Sequence, residues 1–373
     1  MFGQQRMALT ILAFALAAAC AEPARSAALA EAQEIVADAT RCGRQQKVES
    51  GPQAQAGKTV AIVAEDLRNG GILGTALGIR EAADVIGWKV RVFDLGGRAA
   101  TRDKVMKEVL ESRPDAVALL GGIVLEGSAT KDYSAVDLAP FTRRGIHFVG
   151  WHAGPWPGPI AGTPVATNVT TDPLLVARMA ASKAIVESGG RAGVVIFSDS
   201  KISLAMTKAN AMAEVIRSCK QCEVLEMQDV RLEDAGERMA SITQDLLKRH
   251  GKRWTHALAI NDIYFDYMVP TLITSQVASN EMRLISGGDG SNAAFLRIAA
   301  GSFQTATAAD PLNLQGWQIV DELNRLFANR PLSGFHALPH LVTAENMACD
   351  GAPRRIYDPE NGYRDAYRRI WKG

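Results

Sequence analysis

The sequence predicts an α/β protein made of two doubly wound lobes, each a parallel sheet with helices on both faces. The first reason is an alternation, beginning at Lys58, of short continuously apolar stretches with longer stretches of helical spacing. Strands buried on both faces read as unbroken apolar runs, and parallel strands need a helix to cross back between them. The second reason is that the alternation stops at a Pro- and Gly-rich seam and then starts afresh. The third is size. Of 373 residues, 47% are hydrophobic, which is ample for two cores of the usual domain size.

In chain order, VAIVAED reads as a strand, and Gly74 to Ile86 has helical spacing through Leu77, Ala82, Ala83 and Ile86. WKVRVFD is a strand, a helix surrounds Val105 to Leu110, and DAVALLGG and IHFVGWH are further strands. The seam runs from Pro155-Trp156-Pro157-Gly158-Pro159 to Thr171, a composition that predicts no regular structure. The second series opens with a helix from Leu174 to Glu187, the strand AGVVIFSD and a helix through Asn210 to Ile216. It continues with the strand EVLEMQDV, a helix from Ala235 to Arg249, the strand HALAIND, a helix, and the strand MRLISGGD. Beyond Gly301 come FQTATAADP, a long helix from Leu314 to Ala328, the strand-like HALPHLVTAEN and a polar tail carrying Tyr363, Tyr367 and Trp371. No repeat of solenoid period and no low-complexity tract interrupts the series.

The first twenty residues have the form of an export signal: Arg6, then the apolar run MALTILAFALAAAC, then small residues. The run and its flanks are too short for a membrane span, so the mature chain is expected to be extracytoplasmic, in the periplasm. Cleavage is expected after Ala21 or further on near Ala30. The alternative route reads Ala17-Ala18-Ala19-Cys20 as a lipobox, with Cys20 acylated, although Leu16 stands one place too early for it. Either cut removes Arg6, and the later one also removes Glu22 and Arg25, so the formal charge falls from +1 to 0 in both cases. A neutral chain offers no electrostatic reason to bind nucleic acid or an anionic membrane.

After the signal the cysteines are Cys42, Cys219, Cys222 and Cys349, an even number in a compartment that permits disulfides. Cys219-Lys-Gln-Cys222 has the spacing of a redox or zinc motif, but a redox pair opens a helix after a strand, and this one follows a helix and precedes a strand. A zinc site would want two more ligands at motif spacing. A structural disulfide between Cys219 and Cys222 is therefore expected, and Cys42 then pairs with Cys349 by default, tying an irregular N-terminal extension to the C-terminal region.

Known chemical motifs are missing from the sequence. Asn69-Gly70-Gly71-Ile72-Leu73-Gly74 follows the first strand and Asp94 ends the second, yet the third place after Gly71 is Leu73, which breaks the dinucleotide fingerprint. There is no GxSxG or HExxH, and His336 with His340 makes two ligands at most. No enzyme activity, cofactor or metal is expected. What stands out is the polar chemistry at the carboxyl ends of strands, where open α/β sheets bind ligands: Glu65, Asp66, Arg68 and Asn69; Trp151 and His152; Asn261 and Asp262; Asp289. Each alone has an ordinary reading, since Asp and Asn commonly cap the next helix. Together they point to one cleft between the lobes, suited to a small ligand with polar groups.

On these residues the chain resembles the type I periplasmic binding proteins, specifically the ribose- and sugar-binding branch that delivers ligand to ABC importers. The resemblance runs from about Thr59 to His340. Its most specific pieces are ALAINDIYFDYM, LISGGDGSNAAFLRIAAGSFQTATAADP and LNLQGW. It implies two lobes, residues 58–166 with 311–339 and residues 167–310 with 340–373, behind a signal of residues 1–30 and an extension of residues 31–57. Three crossovers, near Thr167-Asn168, near Asp310 and near Leu341, would form the hinge. It further implies ligand contacts from Arg68, Asn69, Gly71, Ile72, Gly121, Trp151, His152, Lys208 or Met206, Arg231, Asn261, Asp289 and Asp310. The family's aromatic pair in the first loop is replaced by Gly71-Ile72, and Trp151-His152 stand where sugar binders often carry Asp-Arg. Each hydroxyl left unpaired would cost about 1 to 3 kcal/mol, so the expected ligand is larger or less polar than ribose, with Trp151 and Trp156 either forming a stacking wall or packing the seam. The resemblance implies a monomeric solute receptor with a small-molecule ligand and ABC permease subunits as partners. The competing readings are a sensory receptor serving a chemoreceptor or sensor kinase, and an exported enzyme or redox protein.

Overall fold

The computed structural model describes residues 22–122, 124–125, 135–349 and 355–373; most of the expected export signal, residues 1–21 with Cys20, lies outside them. The first strands are β1 (Thr59–Ala64), β2 (Lys89–Asp94), β3 (Ala116–Leu120), β4 (His147–Trp151) and β5 (Val165–Val169). They form one parallel sheet in the order β2-β1-β3-β4-β5. The second sheet has the order β11-β10-β9-β8-β6-β7, from β6 (Gly193–Ser198), β7 (Glu223–Asp229), β8 (His256–Ala259), β9 (Arg283–Ser286), β10 (Gln304–Ala309) and β11 (His340–Thr343). All its pairs are parallel except β10 with β11. The inner strands β1, β3, β6 and β8 are buried almost end to end, as their unbroken Val, Ile, Ala and Leu runs require.

The helices are α1 (Glu22–Ala39), α2 (Gly70–Val85), α3 (Ala99–Glu111), α4 (Ala139–Thr142), α5 (Pro173–Glu187), α6 (Ser203–Ser218), α7 (Ala235–His250), α8 (Ile263–Thr274), α9 (Asn292–Ala299), α10 (Leu312–Phe327) and α11 (Tyr363–Lys372). Helix α2 starts under Asn69, whose side chain accepts from Gly71 N at 2.9 Å, and α5 starts under Asp172, which accepts from Leu174 N at 2.8 Å and precedes Pro173. Both are N-terminal caps that satisfy backbone donors the first turn cannot. Helix α10 crosses α2 at close quarters, because Gly78 faces Gly316. A methyl group at Gly78 would stand 2.8 Å from Asn313 O.

Three segments depart from the sequence expectation. The extension is not irregular throughout, since residues 22–39 form α1. Its Leu29, Ala32, Val36 and Ala39 lie on one stripe that packs on the core of the second lobe, the spacing of one helix face. A cut near Ala30 would sever this helix, whereas a cut after Ala21 leaves it whole. Within the seam, residues 165–169 pair with β4 as a strand, and Asn168 holds the Pro-rich turn through Ala153 N, Gly154 O and Trp156 O, each at 2.9 Å. The polar tail is also ordered. Residues 340–343 join the second sheet, but α11 packs on the first lobe, not the second, with Trp371 stacked on Trp317 at 5.4 Å and Tyr363 and Tyr367 around them.

The sulfurs of Cys42 and Cys349 stand 2.05 Å apart and those of Cys219 and Cys222 2.14 Å apart, both disulfide distances. Beside the first pair, Gln45 and the Leu338 backbone bond in both directions and Asn346 Nδ2 donates to Thr40 O at 3.0 Å. Among the described residues no helix is long and apolar enough to cross a membrane.

Candidate ligand cleft

The carboxyl ends of β1, β3, β4, β6, β8, β9 and β10 face one another across the two lobes. Around them lies a small cavity, partly open to solvent. Its polar lining comes from Glu65 after β1, Asn69, His152 after β4, Lys208 on α6, Asn261 after β8 and Asp289 after β9. Its apolar lining is Ile72, Trp151, Ile202, Leu204, Ala205, Leu232 and Ile260, with Gly121 and Gly122 completing the wall.

Asp289 is the hub. Its Oδ2 accepts from Asn261 Nδ2 at 2.8 Å, its Oδ1 lies 3.9 Å from Lys208 Nζ and 3.9 Å from His152 Nδ1, and its backbone carbonyl accepts from Asp310 N at 3.0 Å. The carboxylate also presses on the first turn of α2, where a methyl group at Gly71 would overlap it. One residue earlier, a methyl group at Gly70 would stand 2.6 Å from Ser291 Cβ. The lobes thus touch through glycine on one side and Asp289 with Ser291 on the other. The loop carrying Asp289 is pinned from below by Asp262, whose Oδ2 accepts from Gly290 N at 2.9 Å and Ser291 N at 3.0 Å, and whose Oδ1 accepts from Gln304 at 2.8 Å.

Behind His152 lies Asp310, fully buried. Its Oδ1 accepts from Gln315 Nε2 at 3.0 Å; Gln315 Oε1 in turn accepts from Trp151 Nε1 at 2.8 Å. Trp151 stacks on the His152 ring with centroids 3.8 Å apart. His152 itself has a left-handed backbone, φ 50°, which costs free energy that the surroundings must offset.

Burial governs the charges here. It pushes the Asp289 carboxyl up to about 7, with Lys208 opposing and Asp310 adding to the shift. It raises Asp310 in the same way, against Lys208 and hydrogen bonds from Thr171 and Gln315. Burial, then the Lys208 ammonium, holds His152 well below its ordinary value. The ring nitrogens lie 3.6 and 3.9 Å from carboxylate oxygens, but a neutral imidazole makes these polar contacts and not ion pairs.

Of the residues named from sequence, Asn69, Trp151, His152, Lys208, Asn261 and Asp289 line the cavity and Asp310 stands directly behind it. Arg68 does not reach it: its side chain is 60% exposed and clamps Asp66. Arg231 is 45% exposed and pairs with Glu233 and Asp234. Both arginines have an acid two residues away, which satisfies them locally and holds them at the rim. Met206 receives the Ser198 hydroxyl, and Trp156 is 47% exposed on the seam. Of the apolar lining, sequence reasoning named Ile72, Trp151 and Gly121; it missed Ile202, Leu204, Ala205, Leu232 and Ile260, which carry no signal beyond being hydrophobic next to strand ends. Glu65, read from its place after β1 as pointing into the cleft, lines the cavity. A side chain at Gly121, φ 98°, would collide with Glu65, so the glycine marks the acid's place.

A family model described as periplasmic binding protein domain matches residues 60–331. The chain belongs to that family. Solved structures agree in fold. A solute-binding protein of an ABC transporter from Agrobacterium vitis, bound with alpha-D-tagatopyranose, is 15% identical with TM-score 0.68 over 81% of this chain and 99% of that one. A second from the same organism, with bound allitol, is 16% identical with TM-score 0.62 over 77% and 96%. The substrate-binding protein of a sugar ABC transport system from Bordetella parapertussis is 18% identical with TM-score 0.64 over 84% and 97%. A search of curated proteins finds no match. The likeness shows the type I binding-protein fold, with its two Rossmann-like lobes.

Proposed function

We propose that this periplasmic binding protein is the receptor subunit of an ABC importer, closing its lobes over a small polyhydroxylated ligand and presenting it to a membrane permease. The observation that carries the reading is the cleft: polar groups from both lobes converge on a cavity otherwise lined by apolar side chains, a mixture that holds the hydroxyl groups and the apolar surface of a small molecule. Asn69, His152, Lys208, Asn261 and Asp289 supply the polar edge. Trp151 is occupied by its bond to Gln315 and its stack on His152, so it contributes apolar surface and no hydrogen bond. Thr170 to Asp172, Asp310 and the segment before His340 are crossovers about which the lobes would rotate; the chain also passes between the lobes from α1 to β1 and from β11 to α11, two links that must flex with them.

The two cysteine pairs are read as structural disulfides of an exported chain, and the protein as a monomer that needs no cofactor for binding. A thermal-shift screen over sugars, polyols, aromatics and amines tests the receptor reading, because a ligand that binds only the folded state raises the melting temperature by mass action. A polyol or sugar with a micromolar dissociation constant is the expected hit. Amines or aromatics alone as hits would overturn the polyol assignment, and no hit would overturn the reading as a whole.

A further inference from the structure

We propose that His152, Asp289 and Asp310 form a binding site for one divalent transition-metal ion at the floor of the cleft. Each offers one donor atom, and these atoms lie within 4.8 Å of one another. All three residues are buried: His152 is 8% exposed, Asp289 4% and Asp310 0%. Two of the donors have no hydrogen-bond partner. His152 Nε2 and Asp310 Oδ2 face each other at 3.6 Å, each shut away from solvent and unpaired. Buried polar atoms are nearly always satisfied, and an orphaned pair aimed at one point is the mark of a missing partner. A proton on Nε2 would serve Asp310 alone, whereas an ion bound to Nε2 and Asp310 Oδ2 would draw in one oxygen of Asp289, which here lies nearer Nδ1, and so satisfy all three groups at about 2.0 to 2.2 Å.

The donor set decides the class of ion. One imidazole nitrogen with two carboxylates suits Zn²⁺, Mn²⁺ or Co²⁺; Ca²⁺ and Mg²⁺ prefer all-oxygen shells. The surroundings hold the donors in place. Asp289 is oriented by Asn261, Asp310 by Gln315, and the imidazole by its stack on Trp151, the kind of outer contact that metal ligands carry. Lys208 is the opposing feature, since its ammonium lies 3.9 Å from Asp289. It lines the cavity and offsets part of the negative charge of both carboxylates, so removing it should favour the ion. The three donors come from the first lobe, the second lobe and the crossover between them, so an ion here would hold the closed form.

The test uses the whole mature chain, stripped with EDTA and titrated with Co²⁺ and Zn²⁺. One equivalent of Co²⁺ should develop visible d–d absorption, and Zn²⁺ should displace it and raise the melting temperature where Ca²⁺ at equal concentration does not. Asp310→Asn and His152→Gln should each weaken Co²⁺ binding at least tenfold, and Lys208→Met should tighten it several-fold. Circular dichroism and a melt in EDTA establish that each variant is folded. If the substituted chains do not fold, the wild-type absorption and the Zn²⁺-over-Ca²⁺ shift still decide. No Co²⁺ absorption in the wild type, or absorption that persists in folded Asp310→Asn and His152→Gln, overturns the site. With the sugar and polyol screen repeated in EDTA, a hit there with no metal binding would sink this proposal and leave the receptor reading standing.

Discussion

Asn261 holds two partners at once: its Oδ1 accepts from Ile263 N at 3.0 Å at the start of α8, and its Nδ2 donates to Asp289 Oδ2 at 2.8 Å. Helix capping and ligand binding, which from sequence look like rival roles for this residue, are joined in one side chain. Asn261→Ala should therefore lower the melting temperature by a few degrees through the lost cap and also weaken ligand binding by about 1 to 3 kcal/mol, tenfold or more, by freeing Asp289. Asp289→Ala should show the affinity loss of the same order with less effect on stability. Calorimetric titration beside a melting curve reads both numbers, and unchanged affinity in both variants would place the pocket elsewhere.

The contact of Gly71 with Asp289 yields a prediction about closure. A side chain at Gly71 would occupy the space of the Asp289 carboxylate while remaining compatible with the first turn of α2. Gly71→Val should leave each lobe folded, prevent the lobes from meeting and lower ligand affinity at least tenfold. Small-angle scattering should show the wild-type radius of gyration shrinking on ligand binding and that of Gly71→Val staying at the open value. Equal contraction in both chains would remove this contact from the closing mechanism.

His256, far from the cleft, sets a pH dependence of stability. Burial, then Arg283, brings its pKa to about 4, against 6.5 for the ordinary group. The unfolded chain therefore binds the proton first as pH falls. The stability linked to this residue is whole above pH 6.5 and is lost as pH drops from there toward 4, by up to about 3 kcal/mol. Urea melts of wild type and His256→Gln at pH 7.5 and 4.5 should show the smaller difference in the variant. A parallel decline in both would refute the assignment.

Cys42 and Cys349 close a loop of 307 residues in sequence separation, and cross-links across long loops restrict the unfolded chain most. Breaking the pair with Cys42→Ser should cost about 3 to 5 kcal/mol, whereas Cys219→Ser, whose partner is three residues away, should cost far less. Non-reducing peptide mapping checks the pairing directly; a Cys219 peptide joined to Cys42 or Cys349 would show the wrong connectivity.

The sheets were legible because β1, β3, β6 and β8 bury both faces and so carry unbroken apolar runs that need no tertiary knowledge. What escaped were segments whose structure depends on a distant partner. Residues 165–169 form a strand because β4 offers an open edge, despite the prolines around them. Tyr363, Tyr367 and Trp371 recur every four residues, but between them lie Arg364, Asp365, Arg368 and Arg369, so the stretch reads as a polar tail until Trp317 is seen to receive its aromatic face. In the cleft, end-of-strand Asn261 and Asp289 were readable because sheet topology fixes where strand ends lie. Arg68 and Arg231 misled for a local reason, an acid two residues away in each case.

Trp151 lies 1% exposed at the floor of the cavity, its ring flat against His152, while Trp317 and Trp371 form their own stack inside the first lobe. Emission from Trp151 follows whatever changes the polarity or charge beside His152. Trp88, Trp156 and Trp254 emit as well, so the cleft's share is the difference between the spectra of the native chain and a Trp151→Phe variant. Occupancy of the cleft can accordingly be followed without attaching a dye.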